Sequence, residues 1–283
     1  MTLDVFLRLG RVSNLPTVWT NALAGAVLGA SATGDVLGLG GVLLAALALS
    51  LFYVGGMWLN DAFDAEIDAR ERAARPIPSG EVDRGTVFAG GAGMLVLAVA
   101  IGVMLGAAVP AILLAGAVVL YDWLHKRTVL SPVIMGAARF FSIVFAAAAT
   151  GAVTGLVIAG ALGLFAYVVG LTYAAKQEAQ DRIGDAWPLA VLAVPVLVAL
   201  WMSGGAVWPL LILLGLLVVM GVALYRLRRR DPGDVPVAVV TLIAGIALYD
   251  AVLIAGAGAP LLALLAVAGF GATLLLQRLA PGT

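Results

Sequence analysis

Apolar runs of roughly 14 to 24 residues recur along the whole chain, near 14–32, 37–59, 86–107, 109–122, 132–152, 156–176, 187–203, 207–225, 237–256 and 259–278. Short connections rich in Gly, Pro or charged residues separate them. Each run suits a helix crossing about 30 Å of hydrocarbon at about 1.5 Å per residue. The fourth is short and only "GAGAP" divides the ninth from the tenth, so the pattern predicts nine or ten spans. The fold class is therefore all-α, a polytopic transmembrane helical bundle. No soluble module or low-complexity tail interrupts the pattern, and residues 1–283 read as a single membrane-embedded domain. Asp4, Arg8 and Arg11 precede a first run of nearly full length with no small-residue cleavage site behind it, so no removable signal peptide is expected.

Composition agrees and narrows the chemistry. The chain is 63% hydrophobic, 11% charged and contains 35 glycines, as close helix packing in lipid favours. It has no cysteine and one histidine. Disulfides, thiolate nucleophiles and iron–sulfur clusters are excluded, and a zinc or haem centre is disfavoured. Any metal should be a hard ion held by oxygen.

Charge is informative here by position. Of the 16 Lys and Arg residues, all but Arg139 lie before the first run or at the junctions that follow even-numbered runs. The positive-inside rule then puts both termini and those junctions in the cytoplasm, in a bacterial inner membrane. Nearly every ionisable group lies on that face, and chemistry is expected there.

Two acidic clusters stand out. In "NDAFDAEID", Asp61, Asp64 and Asp68 are spaced i, i+3 and i+7, with Asn60 four residues before Asp64. If the second span continues as helix, these groups share one face. Carboxylates so crowded repel one another, and a divalent cation relieves the repulsion. The second cluster, "KQEAQDRIGD", places Asp181 and Asp185 at i, i+4, with Lys176 and Glu178 upstream. All-oxygen ligands at an aqueous mouth suggest Mg²⁺, which bridges carboxylates to substrate phosphates. Arg72 and Arg75 follow the first cluster in "ERAARPIPSG", where Pro76 and Pro78 stop the helix. Their planar forks suit phosphate oxygens. A diphosphate attached to hydrocarbon is the substrate class these features imply.

N-D-x-x-D-x-x-x-D at Asn60, Asp61, Asp64 and Asp68, then R-P-I-P-S-G, then D-x-x-x-D at Asp181 and Asp185 four spans later, resembles the UbiA superfamily of membrane prenyltransferases. The resemblance covers nearly the whole chain. It implies a helical bundle around a lipid-open cavity and magnesium ions held by Asn60, Asp64, Asp68, Asp181 and Asp185. It also implies transfer of a prenyl group from an allylic prenyl diphosphate to an aromatic or lipophilic small-molecule or lipid acceptor. Asp61, Asp64, Asp68, Asp181 and Asp185 would be the catalytic carboxylates, and Arg72, Arg75, Lys126, Tyr121, Arg139 and Lys176 the substrate-binding groups. One departure stands out: many members carry Y-x-x-x-K after the fourth span, whereas "YDWLHKRT" sets Tyr121 and Lys126 one residue wider, with His125 at the Lys position. "YDWLHK", "GLTYAAKQE" and "LYDA" are similar to a divergent bacterial branch, the Ebo-type UbiA-like proteins.

Phe63, Trp58, Tyr121, Phe140, Phe141 and Tyr173 are candidate walls for an allylic cation, and His125 reads as a loop or interface residue. Arg139 lies about 12 Å along its helix from Ser131, and either snorkels to the surface or points into the cavity to meet diphosphate or acceptor. Asp250 reads as too far toward the outer half of its span to be Arg139's partner. Two other classes stay open on sequence alone: an ion-coupled transporter, and a non-catalytic protein that binds lipid diphosphates.

Overall fold

The computed structural model describes residues 1–34, 37–177, 185–229 and 231–279, and every regular element among them is helical. A short α1 (Leu3–Gly10) leads through a 3-10 turn (Val12–Asn14) into ten helices: α2 (Leu15–Thr33), α3 (Leu39–Glu71), α4 (Arg84–Met104), α5 (Ala108–Leu124), α6 (Ser131–Thr150), α7 (Gly155–Ala175), α8 (Ala193–Met202), α9 (Val207–Arg229), α10 (Asp234–Gly256) and α11 (Pro260–Leu279). A 3-10 segment, Trp187–Leu192, runs directly into α8. These ten helices fall on the ten apolar runs. Seven of them are long and apolar enough to cross a membrane, whereas α5 and the 187–202 segment are shorter. The first half of α2 carries Thr17, Thr20 and Asn21, polar side chains that are all buried.

Local chemistry sets the ends. The Thr2 hydroxyl accepts from the Val5 N–H at the start of α1, and the Asp83 carboxylate accepts from the Thr86 N–H at 2.9 Å at the start of α4. Gly34 and Gly233 adopt the left-handed conformation at the end of α2 and just before α10. The 33 residues of α3 span about 50 Å, some 20 Å more than the hydrocarbon requires. Its last three turns, Asn60 to Glu71, therefore continue past the apolar run as unbroken helix, which is what gives the acidic residues a common face.

α10 is the most buried of the long helices and packs against α2, α7, α9 and α11. Two tyrosines lock it to α7: the Tyr167 hydroxyl donates to the Leu242 carbonyl and the Tyr249 hydroxyl to the Gly160 carbonyl, both at 2.9 Å. Each phenol sits where the facing helix has glycine, Gly245 and Gly163 respectively. α2 and α6 approach at backbone contact. A Cβ on Gly25 would stand 2.5 Å from the Ile143 carbonyl oxygen, and one on Gly151 would stand 2.5 Å from the Gly29 carbonyl carbon. Small residues at a lipid-embedded interface permit this approach and the dispersion contacts it brings. Gly25→Val should lower the melting temperature of the detergent-purified protein, with overpacking costing about 1–3 kcal/mol. Gly116→Ala, with nothing within 4 Å of the new Cβ, should not.

Candidate active site

On the extended end of α3, Asn60, Asp61, Asp64 and Asp68 are all buried, none more than 6% exposed. Burial without partners would be costly, and basic side chains arrive from three directions. Arg75, in the turn after α3, puts Nη1 3.0 Å from Asp61 Oδ1 and 2.7 Å from Asp68 Oδ2. Arg11 puts Nη2 3.1 Å from Asp61 Oδ1 and 3.4 Å from Asn60 Oδ1. Its backbone is left-handed (φ 43°), unlike every other non-glycine residue described, at a cost of about 1–2 kcal/mol. From the end of α5, His125 Nε2 lies 3.0 Å from Asp64 Oδ2, with Nδ1 3.2 Å from the Asp122 carbonyl oxygen. The imidazole stacks on Tyr121, ring centroids 5.1 Å apart. A fourth buried carboxylate, Asp122, accepts from Asn60 Nδ2 at 3.2 Å. Two oxygens in this group, Asp68 Oδ1 and Asp122 Oδ2, are buried without a hydrogen-bond partner among the described residues. Four carboxylates thus share direct bonds from two guanidiniums, one imidazole and one amide.

The cluster forms the mouth of a cavity of about 830 Å³ that runs down among α2, α3, α5, α6, α7 and α10. Arg72, Lys126 and Lys176 line the mouth. Deeper walls are apolar, with Leu49, Phe52, Leu114, Val168 and Ile246 among them. Tyr53 stands between the two zones. Its hydroxyl donates to the Arg11 carbonyl oxygen at 3.2 Å and accepts from Asn14 Nδ2 at 3.1 Å, while its ring faces Arg139, whose guanidinium carbon is 5.8 Å from the ring centroid. One polar end and one greasy shaft suit a ligand built the same way.

The model of the UbiA prenyltransferase family matches residues 18–243 of this chain. The chain belongs to this family. It is 31% identical over 199 residues to the digeranylgeranylglyceryl phosphate synthase of Thermococcus gammatolerans, covering 65% of this chain and 66% of that one. Matches to the first curated relatives span from 36% to 66% of their length. Among solved structures, the fold resembles the apo UbiA homolog from Aeropyrum pernix K1 with a TM-score of 0.64 and 16% identity, over 87% of this chain and 97% of that one. It also resembles the UbiA homolog from Archaeoglobus fulgidus bound to GPP and Mg²⁺, with a TM-score of 0.53 and 12% identity over 97% and 99%. With its apolar helices, a UbiA bundle of this kind is integral to the membrane.

Within this UbiA bundle the sequence-derived residues divide. Asn60, Asp61, Asp64, Arg72, Arg75, Tyr121, Lys126, Arg139 and Lys176 all line the one cavity, and Asp68 lies just behind it on Arg75. Lys176 is also a tether: its Nζ donates to Ser131 Oγ at 2.8 Å and to the Thr128 carbonyl at 3.1 Å. Burial, and then the Lys126 ammonium, hold its amine below the ordinary lysine value. Asp181 and Glu178 lie outside the described residues. Asp185 is exposed and away from the cavity, and its backbone carbonyl accepts from the Tyr173 hydroxyl at 2.7 Å. Among the described residues no three carboxylate or imidazole groups stand together as a metal cage, because Asp64 turns to His125 and Asp68 to Arg75.

Three expectations need correction. His125, expected as a loop or interface residue, lies in the turn after α5 but places its ring in the acidic site, at the position where the resemblance expects Lys. Of the aromatic residues proposed as walls, only Tyr121 lines the cavity. Trp58 packs on Phe6, Phe63 on Phe88, and Phe140 on Phe141, while Phe52 and Tyr53 take the wall. Asp250 is not remote from Arg139: Arg139 Nη1 donates to Asn21 Oδ1 at 2.6 Å, and Asn21 Nδ2 donates to Asp250 Oδ2 at 2.7 Å. Helix crossing, which sequence spacing does not reveal, brings α2 between them. Arg11, Asn14, Asn21, Tyr53 and Asp122 were not singled out by the acidic motifs. Polar residues recurring inside the first run and the Asp within "YDWLHK" are the available signals.

Arg75→Gln would leave two buried carboxylates short of their shared cation. The variant should lose about 3–5 kcal/mol of stability in thermal melts. Glu66→Gln, which breaks only the solvent-exposed ion pair with Arg84, should lose less than about 1 kcal/mol.

Proposed function

We propose that this chain transfers a prenyl group from an allylic prenyl diphosphate to a lipophilic acceptor at the cytoplasmic side of the membrane, releasing diphosphate. The observation that carries the reading is the two-zone cavity, a carboxylate and guanidinium mouth on an apolar shaft. Family membership supports the donor class. A relative named for digeranylgeranylglyceryl phosphate synthesis supports a phosphate-bearing lipid as acceptor.

The residues present fit magnesium. Asn60, Asp61, Asp64 and Asp68 all offer oxygen ligands from buried side chains, and Asp68 Oδ1 has no hydrogen-bond partner among the described residues. We assign Asn60, Asp64 and Asp68 to hold it; the second motif's Asp181 and Asp185 are ligands by the family resemblance alone, Asp185 standing away from the cavity. When bound, Mg²⁺ supplies charge that stabilises a diphosphate leaving group.

The chain's own groups account for the rest. In the transfer, the bond between the prenyl C1 and the diphosphate oxygen breaks and its electron pair leaves with diphosphate. The acceptor oxygen or carbon bonds to C1, and its proton leaves to solvent at the mouth. Arg72, Arg75 and Lys126 are positioned to stabilise the departing oxygens as charge develops there. Phe52, Leu49 and Leu114 hold the chain and keep water from the allylic cation, which it would otherwise hydrolyse.

Asp64→Asn should nearly abolish diphosphate release from geranylgeranyl diphosphate in purified protein, while its melting temperature in detergent stays near that of the parent. Activity of the parent that persists undiminished in excess EDTA would overturn the magnesium assignment. Orientation has its own test, motivated by the one-sided basic residues. A reporter that is active only outside the cytoplasm should be silent when fused after Ser79, and a signal there would put the mouth on the opposite face.

A further inference from the structure

Below Tyr53 the cavity holds one further cation that the mouth does not use. Arg139 lines the cavity, and its only hydrogen bond among the described residues is from Nη1 to Asn21 Oδ1. No ion pair joins it to a carboxylate among those residues. The bond to Asn21 is held from behind. Asp250, fully buried, accepts on Oδ2 from both Asn21 Nδ2 and Thr20 Oγ1, the latter at 2.6 Å. A guanidinium can only donate, so Asn21 must turn its carbonyl to Arg139 and its NH₂ to Asp250. The amide thereby fixes one corner of the guanidinium and the Tyr53 ring flanks its face, while the remaining N–H groups of this cavity-lining residue make no hydrogen bond among the described residues.

A guanidinium in apolar surroundings costs several kcal/mol unless paired, and one neutral carbonyl does not pair it. Asp250 offsets the charge only through the intervening amide. What the geometry lacks is an anion on the cavity side, and a planar fork takes a phosphate or carboxylate through two parallel hydrogen bonds. The donor's diphosphate already has Arg11, Arg72, Arg75 and Lys126 at the mouth. Building on the prenyl-transfer reading, we propose that Arg139 is the subsite for an anionic head group of the acceptor, a phosphate monoester or a carboxylate, with Asn21 and Asp250 as positioning residues. The acceptor's charge would then be anchored below Tyr53, inside the shaft, which selects charged acceptors over uncharged alcohols.

The test uses the full-length protein in detergent with Mg²⁺, titrated calorimetrically with hexyl phosphate, hexanoate and hexanol, in the presence and absence of saturating geranyl diphosphate. The parent should bind hexyl phosphate or hexanoate at least tenfold more tightly than hexanol with geranyl diphosphate in place. Arg139→Gln should remove that tenfold preference and leave geranyl diphosphate affinity within twofold. Should Arg139→Gln not fold, Arg139→Lys carries the test, because it keeps the charge and loses the fork; a threefold or greater loss for the anionic probe alone supports the subsite. The proposal is overturned if the parent does not prefer the anions, if the preference survives in the variants, or if geranyl diphosphate affinity falls in parallel. An Arg139-dependent preference in a parent that does not bind geranyl diphosphate would overturn the prenyl-transfer reading and leave the anion subsite standing.

Discussion

Four buried carboxylates within hydrogen-bonding reach of one another's partners are the constraint around which this molecule is arranged. Asp61, Asp64, Asp68 and Asp122 are each no more than 6% exposed. Unpaired, they would repel one another in a medium less polar than water. Everything around them answers that cost. Arg11 accepts a left-handed backbone to arrive, the Pro76–Pro78 turn delivers Arg75, and the last turn of α5 carries Asp122 and His125 to the same place. The compensation is incomplete, with two carboxylate oxygens unpartnered among the described residues. The cluster holds itself together and still leaves carboxylate oxygen free to take a further ligand.

Separation of charge from hydrocarbon is the second theme. α3 overshoots the apolar thickness, so its polar end and its lipid-embedded body belong to one rigid rod, and the mouth and the shaft of the cavity keep a fixed relation. Tyr53 sits at the boundary, bonding upward to Arg11 and Asn14 and turning its ring downward to Arg139. The polar groups deeper in the bundle form a chain across three helices, α6 to α2 to α10, through Arg139, Asn21 and Asp250. That chain needs α2 and α6 at backbone contact, which Gly25, Gly29 and Gly151 allow. The glycines that read as general packing composition are thus, at these positions, what brings a buried arginine to its partner.

Much of this was legible before any coordinates. Periods of apolar residues and their punctuation determined nine or ten helical segments, though not that α3 runs on to Glu71, because the exclusion of unsatisfied backbone from hydrocarbon leaves helix as the open choice for such runs. Acidic spacing determined that Asn60, Asp61, Asp64 and Asp68 share a face, since a 3.6-residue period is local geometry. What the sequence could not decide was which helices meet. His125 and Asp122 enter the site, Trp58, Phe63 and Phe140 leave it, and Asp250 reaches Arg139 through Asn21, all because of crossings between elements far apart in the chain. Spacing is written into local sequence, whereas the pairing of one buried charge with another depends on long-range packing, and only the tertiary structure decides it.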